Sequence, residues 1–326
     1  MSADSLPAPP AECPAPQWYY LDIGNICNLS CPYCPTGNGK TLTRDKGLMS
    51  RETFDIILRK IEPHARFVCL FNWGEPFLNK NLIYMLRALS ERGIKSHLDS
   101  NLSLRDFSDQ EAEEIVRSGL FSLFASIDGV TQETYEKYRV GGNVERALAN
   151  LRQLVRARDR LRMETPGLLW AFYLNRFNEH EVDRAREVAK DIGVEIWFKL
   201  LSAPDEFQTQ YAKKWSPILS PPPSRPYWHP DQVNERLAPF ELHPMLHAVC
   251  RQPFTVGVVN WNGDVFPCCV VTGARFKLGN LVAQELEEVW NGSPLRSCRT
   301  FLGNFGPVQG GDSVFETVCT AVPSHA

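Results

Sequence analysis

Apolar positions along the first two hundred residues switch between two periods. Short apolar runs at residues 19–23, 67–71, 94–98, 121–127, 168–174 and 194–200 read as strands. The run 67–71, Phe-Val-Cys-Leu-Phe, is apolar throughout, as a strand covered on both faces must be. Between the runs, apolar residues recur at helical spacing. Phe54, Ile57, Leu58 and Ile61 share one face behind Ser50, a helix-capping residue. Leu82, Met85, Leu86 and Leu89 form the next stripe, which Gly93 ends. Ser108 and Glu111 have capping-box spacing before a helix that stops at Gly119. Asn143 opens the stripe Val144, Leu148, Leu151 and Val155. Asn178 and Glu181 cap another, Val182, Ala185, Ala189 and Ile192, stopped by Gly193.

Six strands alternating with five helices predict a parallel sheet built from right-handed βαβ units. The count falls short of the eight strands of a closed barrel. The expected fold is therefore α/β, a partial (β/α)6 TIM-like barrel over residues 17–202. Ligands of such folds bind at the carboxyl ends of the strands. Residues 1–16 are rich in Pro and Ala and read as a disordered lead-in. Residues 203–246 hold Pro221-Pro222-Pro223 and further prolines without periodicity, and read as a linker that shapes substrate access. Beyond them, residues 254–259 and 265–267 flank Asn262-Gly263, a hairpin signal, and residues 284–291 read as a short helix. Residues 247–326 are expected to form a small C-terminal α+β domain.

The chain has 326 residues, a net charge of −3 and 43% hydrophobic residues. Those values argue against a nucleic-acid-binding surface. No apolar stretch approaches the roughly 18 residues of a membrane span. The N-terminus lacks the basic and apolar regions of a signal peptide, and ten cysteines without one point to a reducing cytoplasm. Clustered thiols in that compartment bind metal or do redox work. The seven histidines show no metal spacing, Cys69 reads as core, and Cys13 has no assigned role.

Cys27, Cys31 and Cys34 fall within eight residues, directly after the first strand run. Thiolates are soft ligands suited to zinc or iron–sulfur clusters. A structural zinc site wants four closed ligands, and a four-iron cluster is ordinarily held by four cysteines. Three cysteines leave one iron open for chemistry.

Cys27-x-x-x-Cys31-x-x-Cys34 after the first strand of a βα array resembles the radical S-adenosylmethionine (SAM) enzymes. Gly74-Glu75-Pro76 is similar to the family's Gly-Gly-Glu-Pro, with Trp73 in place of the first glycine. Ser100-Asn101 follows the third strand, Ser126-Ile127-Asp128-Gly129 ends the fourth, and Arg139 follows Tyr135 in Tyr-x-x-x-Arg spacing. The resemblance implies that the three cysteines ligate a [4Fe-4S] cluster whose open iron chelates SAM. One electron then releases a 5′-deoxyadenosyl radical that takes a hydrogen atom from substrate. It further implies cofactor-binding roles for Tyr33 near the adenine, Gly74, Glu75 and Pro76 near the ammonium, Ser100, Asn101 and Ser126 at ribose or carboxylate, and Arg139 at the carboxylate. A surface ion pair is the alternative for Arg139, and a turn former for Asp128; Asp99, near the end of the third strand, faces the right side of the barrel, with an Asn-capped turn as its alternative.

The C-terminal segment resembles the auxiliary-cluster module called SPASM, or twitch in its short form. Cys250, Gly263-x-x-x-x-Cys268, Gly279-Asn280-Leu281 and Leu286-x-x-x-Trp290-Asn291 carry that resemblance. It implies one auxiliary [4Fe-4S] cluster on Cys250, Cys268 and Cys319, with Cys298 as fourth ligand and Cys269 as rival. Neighbours on a strand point to opposite faces, which disfavours Cys269 beside Cys268. The expected function is hydrogen abstraction from a small polar metabolite (a sugar, aminocyclitol or nucleoside) in a biosynthetic pathway, giving oxidation, rearrangement or elimination. The short lead-in is expected to leave no room for a leader-peptide-binding domain. The expected partner is a one-electron donor of flavodoxin or ferredoxin type, with no nucleic acid and no membrane. The alternatives are a maturase of ribosomal peptides and a non-catalytic zinc scaffold.

Overall fold

The computed structural model describes residues 12–39, 42–201, 209 and 252–304. Strands β1 (Trp18–Leu21), β2 (Phe67–Cys69), β3 (Lys95–Ser100), β4 (Ser122–Ser126), β5 (Gly167–Leu174) and β6 (Glu195–Leu200) pair in parallel, each with the next. Helices α1 (Arg51–Ile61), α2 (Leu82–Glu91), α3 (Asp109–Arg117), α4 (Gln132–Tyr135), α5 (Val144–Arg160) and α6 (Val182–Ile192) alternate with them. The six expected strands and their order are present, and the sheet stays open.

The predicted stripes are the buried faces. Phe54, Ile57, Leu58 and Ile61 of α1, and Met85, Leu86 and Leu89 of α2, join the main core with Tyr19, Leu21, Val68 and Leu98 from the sheet. Ser50 Oγ accepts from Thr53 N at 3.0 Å, and Asn143 Oδ1 from Arg146 N at 2.8 Å, so both caps form as expected. Gly193 ends α6 in the left-handed conformation, φ 84°. Two acidic residues depart from their expected capping roles. Ser108 Oγ accepts from Glu111 N at 3.1 Å, but the Glu111 carboxylate pairs with Arg105 instead of closing the box. The Glu181 carboxylate accepts from Val130 N (2.6 Å) and Thr131 Oγ1 (2.6 Å), tying the start of α6 to the loop after β4.

The C-terminal segment is continuous with the same sheet. After α7 (Gln252–Thr255), β7 (Val256–Val259) lies parallel to β1 on the side opposite β2. Strands β8 (Asp264–Phe266) and β9 (Gly279–Asn280) extend it antiparallel, followed by α8 (Leu286–Trp290) and α9 (Ser293–Asn304). The turn at Asn262-Gly263 is the expected hairpin. Residues 12–16 differ from the expected disordered lead-in. Trp290 Nε1 donates to Cys13 O (3.1 Å) and Pro14 O (2.7 Å), and Cys13 N donates to Asn291 Oδ1 (3.0 Å). Three such bonds and a buried thiol hold this stretch against α8, which composition alone does not reveal. The Pro-rich linker, apart from residue 209, lies outside the described residues, as do Cys250 and Cys319.

The sheet has two different faces. Helices cover one. The other carries Trp18, Phe67, Cys69, Val256, Val258, Phe266 and Cys268 in one cluster, and Phe124, Leu169 and Ala171 in another. Polar residues interrupt this helix-free face at His97 and Asp99 of β3 and Lys199 of β6, and the candidate site opens at its carboxyl edge.

Candidate functional site

The loop after β1 carries the cysteine triplet. Cys34 N donates to Cys31 O at 3.2 Å, and Leu29 N donates to Cys27 Sγ at 3.4 Å, so the loop folds back on itself around its sulfurs. Cys27, Cys31, Tyr33 and Cys34 pack with Leu29 and Tyr138 in one cluster. Burial pushes the Cys27 thiol up to about 12, the Glu75 carboxylate adds to this, and the Leu29 N–H opposes it. Burial also raises Cys31, against the pull of the Arg139 guanidinium. Among the described residues, no three Cys, His, Asp or Glu side chains already converge at ion-binding spacing. The triplet instead lines one wall of a cavity of about 310 Å³, at the scale of small-molecule sites. Three soft donors on one half-buried loop fit an iron–sulfur cluster by their chemistry.

The other cofactor-binding candidates lie together around the cavity, Pro76 just behind its lining, and Glu75, Ser100 and Asn101 are bonded to one another. Glu75 Oε1 accepts from Ser100 Oγ (2.8 Å) and Phe77 N (3.1 Å), and its Oε2 accepts from Asn101 N (2.9 Å). Burial raises this carboxyl while those three donors hold it down. Glu75 therefore clamps the ends of β2 and β3 to each other, as well as bordering the cavity. Asn101 Nδ2 donates to Asn28 Oδ1 at 3.0 Å and reaches Cys27 Sγ at 3.8 Å, joining the β3 edge to the triplet loop. Pro76 opens the short turn Pro76–Leu78, and Ser126 is buried at the end of β4 where it borders the cavity. Arg139 is an internal residue, unlike a surface ion pair. Its Nε donates to Asp128 Oδ2 at 2.6 Å, and Tyr173 N donates to Asp128 Oδ1 at 2.7 Å. Burial alone would lower the guanidinium; Asp128 and Cys31 outweigh it, so Arg139 stays charged.

Gly74 shows how closely these parts approach. A Cβ there would lie 1.8 Å from the Gly24 carbonyl oxygen and 2.9 Å from that of Ile26. Glu75 N donates to Ile26 O at 2.9 Å across the same contact. Gly74→Ala is expected to cost about 3 kcal/mol of stability through overpacking, read as a lower melting temperature, and to loosen the triplet loop.

The described C-terminal cysteines divide between the two faces. Cys268, fully buried, packs on the helix-free face with Cys69 and Phe266, and Cys269 joins it. Gln252 holds Cys269 at two points: Nε2 donates to Sγ (3.1 Å) and Oε1 accepts from Cys269 N (2.9 Å). Cys298 lies instead in the helix-side core with Cys13 and Trp290. The expected opposition of Cys268 and Cys269 does not hold because β8 ends at Phe266. Both cysteines sit past the strand, where alternation no longer applies.

Residues 21–189 match the description of the Radical SAM superfamily, and residues 250–316 that of an iron-sulfur cluster-binding domain, SPASM. The first match covers more than half of the chain. The chain belongs to the radical SAM superfamily. The cofactors of that superfamily, SAM and a [4Fe-4S] cluster, are thereby its own, and the C-terminal segment is a cluster-binding domain. This radical SAM chain is similar to the AdoMet-dependent heme synthase of Methanosarcina barkeri, 23% identical over 180 residues, 55% of this chain and 48% of that protein. It spans about half the length of the curated relatives it matches first. Its fold is similar to that of SuiB from Streptococcus suis bound to S-adenosylmethionine (TM-score 0.65, 15% identity, 88% of this chain and 68% of that one). It is also similar to that of BtrN in complex with AdoMet and 2-DOIA (TM-score 0.52, 15% identity, 90% and 89%).

Sequence reasoning singled out Asp99 alone from a set of polar groups on the helix-free face of this radical SAM fold. His97, fully buried, has Nδ1 2.8 Å from Ser122 Oγ and Nε2 3.0 Å from Asp99 Oδ1. Its ring is held edge-on against Phe124, centroids 4.6 Å apart. Asp99 borders the cavity. Lys199 Nζ lies 3.9 Å from the centre of the Trp197 ring; burial lowers its pKa while Asp99 and Asp128 raise it. The available signal was the alternation in Lys95-Ser-His-Leu-Asp-Ser, which puts His97 and Asp99 on one face of a strand.

Proposed function

We propose that this chain cleaves SAM reductively and abstracts a hydrogen atom from a small polar metabolite, a sugar, aminocyclitol or nucleoside, in a biosynthetic pathway. When bound, SAM on the open iron of the cluster supplies the 5′-deoxyadenosyl radical. Cys27, Cys31 and Cys34 would hold that cluster. Arg139, anchored by Asp128, would hold the SAM carboxylate. Gly74, Glu75, Pro76, Ser100, Asn101 and Ser126 would shape the bed beneath it, and Tyr33 would cover the adenine. Cys250, Cys268 and Cys319 would hold an auxiliary cluster. The shared face of Cys268 and Cys269 favours Cys269 over Cys298 as the fourth ligand. A flavodoxin- or ferredoxin-type donor would supply the electron. No helix among the described residues is long and apolar enough to cross a membrane.

The observation that carries the substrate class is the polar wall of His97, Asp99 and Lys199 set among aromatic rings beside the cavity. Hydrogen-bonding groups beside an aromatic-lined cavity suit a hydroxyl- or amine-bearing molecule. Asp99, braced by His97, is placed to accept a proton from such a group. BtrN, similar in fold over most of both chains, was crystallised with AdoMet and 2-DOIA, which supports the small-molecule reading.

The test is anaerobic turnover of reconstituted protein with carbon-deuterated hexoses, aminocyclitols and nucleosides. Deuterium is expected in 5′-deoxyadenosine with one of these classes. Transfer from a peptide alone would replace the reading with peptide maturation; SuiB, of related fold, was also crystallised bound to precursor peptide SuiA. With the active class, Asp99→Asn is expected to lower product formation about a hundredfold while substrate-free SAM cleavage persists. Equal product yields from both proteins would remove Asp99 from the reaction.

A further inference from the structure

Arg44 is a buried cation with unused donors. It lies in the stretch that leaves the triplet loop, and that stretch is stitched to the C-terminal segment. Thr43 N donates to Thr272 O (3.3 Å), Ala274 N donates to Thr43 Oγ1 (3.2 Å), and Trp261 Nε1 donates to Asp45 O (2.9 Å). Arg44 itself donates through Nη2 to Val271 O. Its side chain is 4% exposed, and the guanidinium sits 3.4 Å from the centre of the Phe266 ring. Its Nε and Nη1 are buried and bonded to nothing.

Two idle donors on a buried cation are costly to leave unmet, so their surroundings indicate what they await. Two carboxylates are near. Asp264 is paired with Lys277 at 2.7 Å. Asp22 spends one oxygen on Trp73 N at 3.4 Å and keeps the other buried without a partner. The remaining charge-sensitive neighbours of Arg44 are the thiols of Cys268 and Cys269; Cys268 shares a buried cluster with Phe266, the ring on which Arg44 lies, and Cys269 packs against that cluster.

We propose that Arg44 is the hydrogen-bonding cation of the auxiliary cluster site, donating from Nε and Nη1 to sulfur at Cys268 and Cys269. This rests on the reading that these cysteines take part in holding a cluster. Donors and positive charge beside cluster sulfurs favour the more negative, reduced form. Removing Arg44 should therefore make that cluster harder to reduce. Arg44 also joins the loop that bears the triplet to the segment that bears the second site, so each site braces the other.

The experiment is a redox titration of the full reconstituted chain followed by electron paramagnetic resonance. SAM addition separates the two signals, because only the triplet's cluster responds to it. In Arg44→Gln the SAM-insensitive signal is expected to shift to a more negative midpoint with altered line shape, while the SAM-responsive midpoint stays put. Arg44→Lys, which keeps the charge, is expected to restore most of the midpoint. If Arg44→Gln loses iron, Arg44→Lys carries the test through its line shape, since its single ammonium cannot reproduce two fixed donors. An unchanged midpoint and line shape at full iron content would overturn the proposal, as would equal shifts in both signals. A wild-type chain with a SAM-responsive signal alone would overturn the auxiliary-cluster reading and this proposal with it. Loss of the SAM-responsive signal instead would strike at the proposed function.

Discussion

Cys31→Ala is expected to bring 5′-deoxyadenosine formation to background and to remove about four irons per chain, while the protein remains folded. Cys31 is the most enclosed of the three thiols, 4% exposed, yet it stands on a loop beyond β1 instead of within the sheet. Truncating it removes one sulfur from a small satellite cluster with Leu29 and Tyr138, worth about 1 kcal/mol. The chemistry and the stability are therefore separable at this position. Cys69 makes the contrast: it is equally buried, accepts from Trp18 Nε1 at 3.3 Å within the sheet, and Cys69→Ala should keep its irons. Iron analysis, a SAM-cleavage assay and a melting curve on the two variants decide the matter. A Cys31→Ala protein that still makes 5′-deoxyadenosine would end the ligand assignment.

The elements were readable because each buries a face whose period belongs to its own short segment. Residues 67–71 are apolar on both sides because helices cover one face of β2 and an aromatic cluster the other. Nothing comparably local announces the pairing of β7: residues 254–259 read as a hairpin strand, yet β7 also lies beside β1 in the sheet although more than two hundred residues separate them. Parallel pairing needs no turn signal between its strands, so the joining of the C-terminal segment to the barrel is a tertiary fact. The same limit hid the ordering of Cys13, whose partners are Trp290 of α8 and Asn291 just after it.

The site was legible by position more than by role. Glu75, Ser100 and Asn101 were marked one by one through their resemblance to known motifs, but their bonds to one another are visible only in three dimensions. That network makes the strand ends a single rigid edge before any ligand arrives, the condition for holding a reactive species in place. The alternation rule does not reach Cys269, because β8 ends at Phe266, three residues before it. Arg44 carried no signal at all, since a lone arginine among loop residues is ordinarily solvated; only its burial and idle donors single it out.

Arg139→Met is expected to cost about 3–5 kcal/mol, because it strands a buried carboxylate. The pair is internal: the Arg139 side chain is 14% exposed and that of Asp128 fully buried, with Nε and Oδ2 2.6 Å apart. Asp128 would keep only the Tyr173 N–H at 2.7 Å. Adding Asp128→Asn removes the stranded charge, so the double variant should regain much of the lost stability. SAM affinity then separates two roles for the guanidinium, which also borders the cavity. If Arg139 binds the SAM carboxylate, the double variant stays weakened at least about tenfold despite its recovered melting temperature. If Arg139 only braces Asp128 against β5, affinity returns together with stability. Calorimetric titration of SAM into both reconstituted variants, at matched iron content, distinguishes these outcomes, and recovered affinity in the double variant would strike Arg139 from the cofactor site.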